Sequence, residues 1–203
     1  MLKTLMAGVI ALAAGTGASL GGEEVKAAAK QYAEGDLAAF LKDFKELKDE
    51  LKAANEARKG WEAYSEDWKK WNAEEAEKHK NSYTYAEYQW SAKKDKAFRA
   101  QFTDTAAAKK LKEFQDKSGG KVVEFFVTDA KGGNVCQSQV TSDWFQGDEE
   151  KFSKVESKTE NYYADPKRDD TVGKTGVQVS VPMYDGKSFL GVVVVTIFTE
   201  AGK

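Results

Sequence analysis

The chain has 203 residues, 41% hydrophobic and 32% charged, with 31 Lys and Arg against 33 Asp and Glu. A formal net charge of −2 gives no electrostatic footprint for nucleic acid or an anionic membrane as partner. A single Cys excludes an internal disulfide; there is no paired-Cys or His-Glu-x-x-His metal motif, and the one His does not stand in a plausible place for a catalytic triad.

Lys3 precedes an apolar stretch from Leu5 to Ala14, followed by small residues from Gly15 to Ser19. That positive, apolar, small-residue order is the order of a secretory signal. Thr16-Gly17-Ala18 places cleavage after Ala18, so residues 1–18 read as a signal peptide and the product as periplasmic or secreted. The alternative is an uncleaved N-terminal membrane anchor. The stretch is short and rich in Ala and Gly, against the ~20 apolar residues a spanning helix needs.

Residues 19–105 read as a helical extension. From Glu23 to about Lys80 there is no Pro, and Ala, Leu, Lys and Glu dominate, all good helix formers. Leu37, Phe40, Leu41, Phe44, Leu47 and Leu51 recur at spacings of three and four, one helix face. Gly35-Asp36 interrupts the run, with Asp36 placed to cap the helix that follows. After Gly60, the residues Trp61, Tyr64, Trp68 and Trp71 are spaced 3, 4 and 3. Such a stripe predicts burial against another helix, in a core or a homodimer seam. His79 stands in a Lys/Glu-rich helix as an exposed bystander. Asn81 to Trp90 predicts a bend before a helix at about 92–102. Thr103-Asp104-Thr105 then starts an amphipathic helix over Ala106–Lys117, stopped by Ser118-Gly119-Gly120.

Residues 106–203 change character. Val122 to Thr128 is β-branched or aromatic and predicts a strand. Asp129 to Asn134 is turn chemistry, and Val135 to Val140 returns as a second strand carrying Cys136 as a small buried hydrophobe. Gly147-Asp148-Glu149-Glu150 opens a short helix over Lys151–Ser157, its acids at the favourable end of the dipole. Asn161 to Lys174 reads as a polar loop. Its Asp165, Asp169 and Asp170 lack an EF-hand pattern and read as a solvated turn rather than a calcium site. Val177, Val179 and Val181 alternate with polar residues, a half-buried strand. After the turn Tyr184-Asp185-Gly186-Lys187, Phe189 to Phe198 is apolar on both faces, as in a central strand. Hairpins joined by a helix, after long helices, predict an α+β fold.

Four phrases carry a resemblance. They are Phe126-Val127-Thr128-Asp129-Ala130-Lys131-Gly132, Thr141-Ser142-Asp143-Trp144-Phe145-Gln146-Gly147-Asp148-Glu149, Val177-Gln178-Val179-Ser180-Val181-Pro182 and Tyr184-Asp185-Gly186. Over about residues 106–198 the chain resembles the PDC, or Cache, sensor domains, extracytoplasmic PAS-like modules of bacterial receptors. The resemblance implies an antiparallel sheet of about five strands with a small-molecule pocket on one face. It also implies that Trp144-Phe145 matches the aromatic pair of the amino-acid binders, and Tyr163-Ala164-Asp165 their Tyr-x-Asp. Ser142 stands where those binders carry Arg, and Thr196 stands near their last-strand Asp. The expected site is therefore Trp144, Phe145, Tyr163, Asp165, Ser142 and Thr196. Its ligand is a neutral or singly charged organic molecule rather than a zwitterionic amino acid.

The expectation is a sensing and binding module without catalysis, cofactor or metal, homodimeric, signalling through a separate membrane receptor because the chain ends soon after the last strand. The alternative is a structural helical dimerisation protein with a ligand-free PAS-like domain.

Overall fold

The structure, a computed structural model, describes residues 21–156, 158–170 and 173–199. The expected signal peptide and its cleavage point lie outside them. No described helix is long and apolar enough to cross a membrane.

Helix α1 (Gly22–Tyr32) carries Glu23 and Glu24 in its first turn, where the dipole favours acids. It does not stop at Gly35-Asp36. A π-helical turn over Ala33–Leu37 absorbs the weak point and leads directly into α2 (Ala38–Lys42), with no side-chain cap. Asp36 is thus not the expected cap. The break falls later, at Asp43 and Phe44, whose backbones leave helical geometry before α3 (Lys45–Ala57).

That break lets one apolar stripe follow a sheet. Leu37, Leu41, Phe44, Leu47 and Leu51 are buried in one core with Phe125, Val127, Val193, Val195 and Ile197. Phe40 stacks on Phe114 at 4.4 Å between ring centres. The stripe is consumed within the chain. Residues on both sides of the expected division at 105/106 contribute to this core, Ala107, Ala108 and Leu111 among them.

After Ala57 the helix ends, and the spacing from Trp61 to Trp71 is not a helix face. Glu62 instead bridges to Ser82, a 3₁₀ turn spans Glu66–Lys70, and α4 (Ala73–Glu77) is short. The aromatic residues turn inward to separate partners. Trp61 meets Tyr83, Tyr64 stacks on Phe145 at 4.1 Å, and Trp71 stacks on His79 at 4.7 Å. His79 is therefore held between Trp71 and the carboxylates of Glu62 and Glu75, not a free bystander. The expected bend at 81–90 is helical: Ser82 caps α5 (Tyr83–Glu87), and a π turn over Tyr88–Ala92 follows. Helix α6 (Lys96–Thr103) is capped by Asp95, and α7 (Ala106–Lys117) by Thr105 as expected.

The sheet comprises β1 (Val122–Asp129), β2 (Asn134–Gln137), β3 (Tyr162–Tyr163), β4 (Lys167–Asp169), β5 (Lys174–Asp185) and β6 (Ser188–Phe198). Helix α8 (Glu150–Ser153) lies between β2 and β3. The strand order is β2-β1-β6-β5-β3, with β4 also on β5, antiparallel throughout. The fold is the expected α+β one, with helices preceding an antiparallel sheet. Strand β6 is central, which is why Phe189 to Phe198 is apolar on both faces. β3 and β4 replace part of the expected polar loop. They form because β5, at 12 residues, offers an edge whose backbone groups recruit any extended neighbour. Gly191 is needed where β6 crosses β1. Its φ is +149°, and a Cβ there would stand 1.9 Å from the Thr128 carbonyl oxygen.

Candidate functional site

Side-chain alternation divides the sheet into two faces. Phe125, Val127, Val193 and Val195 face the helices. On the other face Phe126, Val192 and Val194 pack under Phe152 and Val155 around α8. Further along that second face the apolar floor gives way to Glu124, Gln178 and Thr196, neighbours across β1, β6 and β5.

These three residues floor an open groove of about 820 Å³. Glu124 Oε2 accepts from Thr196 Oγ1 at 3.1 Å and from Gln178 Nε2 at 3.3 Å. One wall carries Lys151, whose side chain is only 13% exposed and pairs with Glu149 at 3.0 Å. Its Nζ also lies over the Phe126 ring, 5.4 Å from the centre. The other wall runs from Ala164 to Asp170. There Asp165 pairs with Lys26 at 3.1 Å, and Asp170 with Arg168 at 3.3 Å. Glu149, Asp165 and Asp170 each have a cation. Glu124 has none among the described residues, and its two partners are neutral donors. The groove thus offers one uncompensated carboxylate on a half-buried floor, where an ionic contact gains over its value in water. Among the described residues no three His, Cys, Asp or Glu side chains are grouped to hold a metal ion.

Of the six residues expected at the site, the structure brings Asp165 and Thr196 to this groove. Tyr163 sits on β3 beside Val179 but packs against the helix-facing core, its hydroxyl 3.4 Å from Glu34. Ser142 is exposed and donates to Asp143 at 2.6 Å. Trp144 and Phe145 lie in a second core with Tyr83, Ala86, Trp90 and Phe102, away from the groove floor. Sequence reasoning missed Glu124, Gln178 and Lys151. The available signal was Glu124 itself, a lone charge inside the apolar run Val122–Val127.

The second core is fastened by two buried acids. Glu87 Oε2 accepts the backbone N–H groups of Trp144 at 2.9 Å and Phe145 at 2.8 Å, and Ser91 donates to Oε1. Burial pushes the Glu87 carboxyl above the usual carboxylate range despite these donors. Asp129 closes the β1–β2 turn. Its Oδ1 accepts from the Lys131 and Gly133 N–H groups, and its Oδ2 from Arg58 at 2.7 Å and Tyr83 at 2.9 Å. Burial, then the adjoining Asp129 charge, drives the Tyr83 hydroxyl far up. Arg58 also donates to the Gly133 and Asn134 carbonyls and lies 4.9 Å over the Trp144 ring. Cys136 is fully buried as expected, and burial raises its thiol.

No family model matches the sequence, and no curated protein matches it. Among solved structures it is similar to the sensor domain of the histidine kinase DctB from V. cholerae, at 13% identity and a TM-score of 0.40. That match covers 86% of this chain and 55% of that one. A second is the sensory domain of the Campylobacter jejuni chemoreceptor Tlp3 with isoleucine bound, at 10% identity and 0.36, covering 87% and 58%. A third, at 11% identity and 0.34, is a domain of a sensory box/GGDEF family protein from Vibrio parahaemolyticus, covering 87% and 62%. The chain spans about three fifths of the length of each of these structures.

Proposed function

We propose that the chain is an extracytoplasmic small-molecule binding module of the sensing type, with its ligand held in the outer sheet groove and no chemical turnover. The observation that carries this reading is Glu124: a carboxylate on the floor of a large groove, hydrogen-bonded only to neutral groups. A ligand that brings one N–H⁺ or a strong neutral donor completes it. Thr196 and Gln178 orient the carboxylate, while Val123 and Phe198 supply apolar contact, the usual mix of a ligand site. Zwitterionic amino acids are poor candidates. The least exposed cation on the wall, Lys151, is already neutralised by Glu149, and Lys167, which also lines the groove, is exposed to water, where an ion pair with a ligand carboxylate gains little.

The test is calorimetry with a panel of monocationic amines on the parent chain and on Glu124→Gln. Loss of one charge-assisted contact predicts about a 10- to 100-fold weaker complex. A ligand in this groove that binds Glu124→Gln with unchanged affinity would show that the carboxylate is structural. Free amino acids binding more tightly than the corresponding amines would overturn the ligand class.

A further inference from the structure

We propose that a separate groove between α3 and α6 is a second small-molecule site, which takes a planar nitrogen heterocycle of one or two rings bearing an N–H donor and a ring acceptor. The groove has a volume of about 370 Å³ and shares no lining residue with the sheet groove. Ala53, Ala54 and Ala57 on α3 leave the space open, and Trp61, Phe98 and Phe102 give it aromatic walls.

Two buried polar atoms on its lining residues have no hydrogen-bond partner among the described residues. Trp144 is fully buried, and its indole Nε1–H donates to nothing. Two other indoles of this region are satisfied: Trp90 donates to the Thr141 carbonyl at 3.1 Å, and Trp68 to the Tyr64 hydroxyl at 3.2 Å. Glu50 uses Oε1 to accept the Ala107 N–H at the start of α7, at 2.9 Å, while its Oε2 is buried and empty-handed. No cation pairs with Glu50 among the described residues. Buried polar atoms are nearly always paired, so each orphan calls for an explanation. Here one is a donor, the other an acceptor, and both belong to residues lining one groove.

Arg58 is not the anchor. Both of its terminal nitrogens are engaged by Asp129 and two carbonyls, and its guanidinium lies 4.9 Å over the Trp144 ring. A ligand that satisfies the pair must accept from Trp144 and donate to Glu50, and the aromatic walls select a flat one. Both atoms are closed to solvent in the free chain, so the ligand's polar edge must part the groove's side chains to reach them.

Benzimidazole is the probe, and indole the control of equal shape that lacks the ring acceptor. The readout is the Trp144 indole N–H resonance, assigned by its loss in Trp144→Phe. Benzimidazole is expected to shift that resonance saturably. Indole is expected to bind several-fold more weakly, and Glu50→Gln to weaken benzimidazole about tenfold, one charge-assisted hydrogen bond. Ala57→Trp, at an exposed position that fills the groove, should abolish the response without unfolding the chain. Glu124→Gln should leave it unchanged, which separates this site from the sheet groove. No saturable shift at millimolar benzimidazole would overturn the proposal. Equal binding of indole, or an unchanged response in folded Ala57→Trp, would overturn it as well.

Discussion

Asp129→Ala tests what holds the helices and the Trp144 segment to the β1–β2 turn. The carboxylate is fully buried and receives four donors: Arg58, Tyr83, and the N–H groups of Lys131 and Gly133. Truncation leaves a buried guanidinium without its counter-charge, for which breaking a buried pair costs about 3–5 kcal/mol. The Lys131 amide belongs to an exposed residue and recovers a hydrogen bond from water. The Gly133 amide and the Tyr83 hydroxyl are both buried, and each adds about 1–3 kcal/mol. Arg58 keeps its two carbonyl partners, which offsets part of this. The expected net loss is at least about 4 kcal/mol, a large share of the 5–15 kcal/mol that holds a typical domain together. Urea unfolding followed by circular dichroism measures it. In a double-mutant cycle with Arg58→Met, the second substitution should recover much of the loss, because the stranded charge is gone. A loss below about 1 kcal/mol for Asp129→Ala, or simple additivity with Arg58→Met, would refute the clamp.

Leu47→Ala should cost about 2–5 kcal/mol, and the loss should not depend on protein concentration because Leu47 is buried within the chain; a concentration-dependent midpoint would return the stripe to a dimer seam. Gly191→Ala should prevent the close crossing of β1 and β6, read as loss of soluble folded chain or a large fall in midpoint, and near-parent stability would contradict the 1.9 Å approach to Thr128. The raised Glu87 carboxyl means the folded state keeps its proton to higher pH than the unfolded state does. Stability should therefore fall as pH rises from the usual carboxylate range through the raised value. Glu87→Gln should gain on the parent across that rise, and parallel pH profiles would show that burial does not govern this group.

The fold was readable where periodicity or turn chemistry acts locally. The Leu37–Leu51 stripe, the Thr105 cap and the strands read over 122–128, 177–181 and 189–198 all announce themselves in short windows. What the stripe packs against is not a local property: a three-four period is the same whether a helix or a sheet covers it. The spacing of Trp61, Tyr64, Trp68 and Trp71 imitates a helix, but long-range partners decide its conformation, among them the Ser65 amide bonded to Thr84 Oγ1 at 2.8 Å. β3 and β4 depend on the free edge of β5, which no window around residue 165 contains. The groove's lining was legible only in part. Asp165 and Thr196 reach the groove, whereas the aromatic pair serves the second core because Glu87, 57 and 58 residues earlier in the chain, captures both backbone amides. Glu124 carried the missed signal, since a charge in an apolar strand is retained only where something meets it.

The most direct test of the groove is a thermal-shift screen of monocationic amines against the parent chain and Glu124→Gln, run side by side. A ligand at 100 times its Kd adds about 2.7 kcal/mol, or roughly 5–10 °C for a chain of this size. The account predicts such a rise for at least one amine with the parent, and its loss or sharp reduction in Glu124→Gln. No rise with any amine, or equal rises in both proteins, would contradict it.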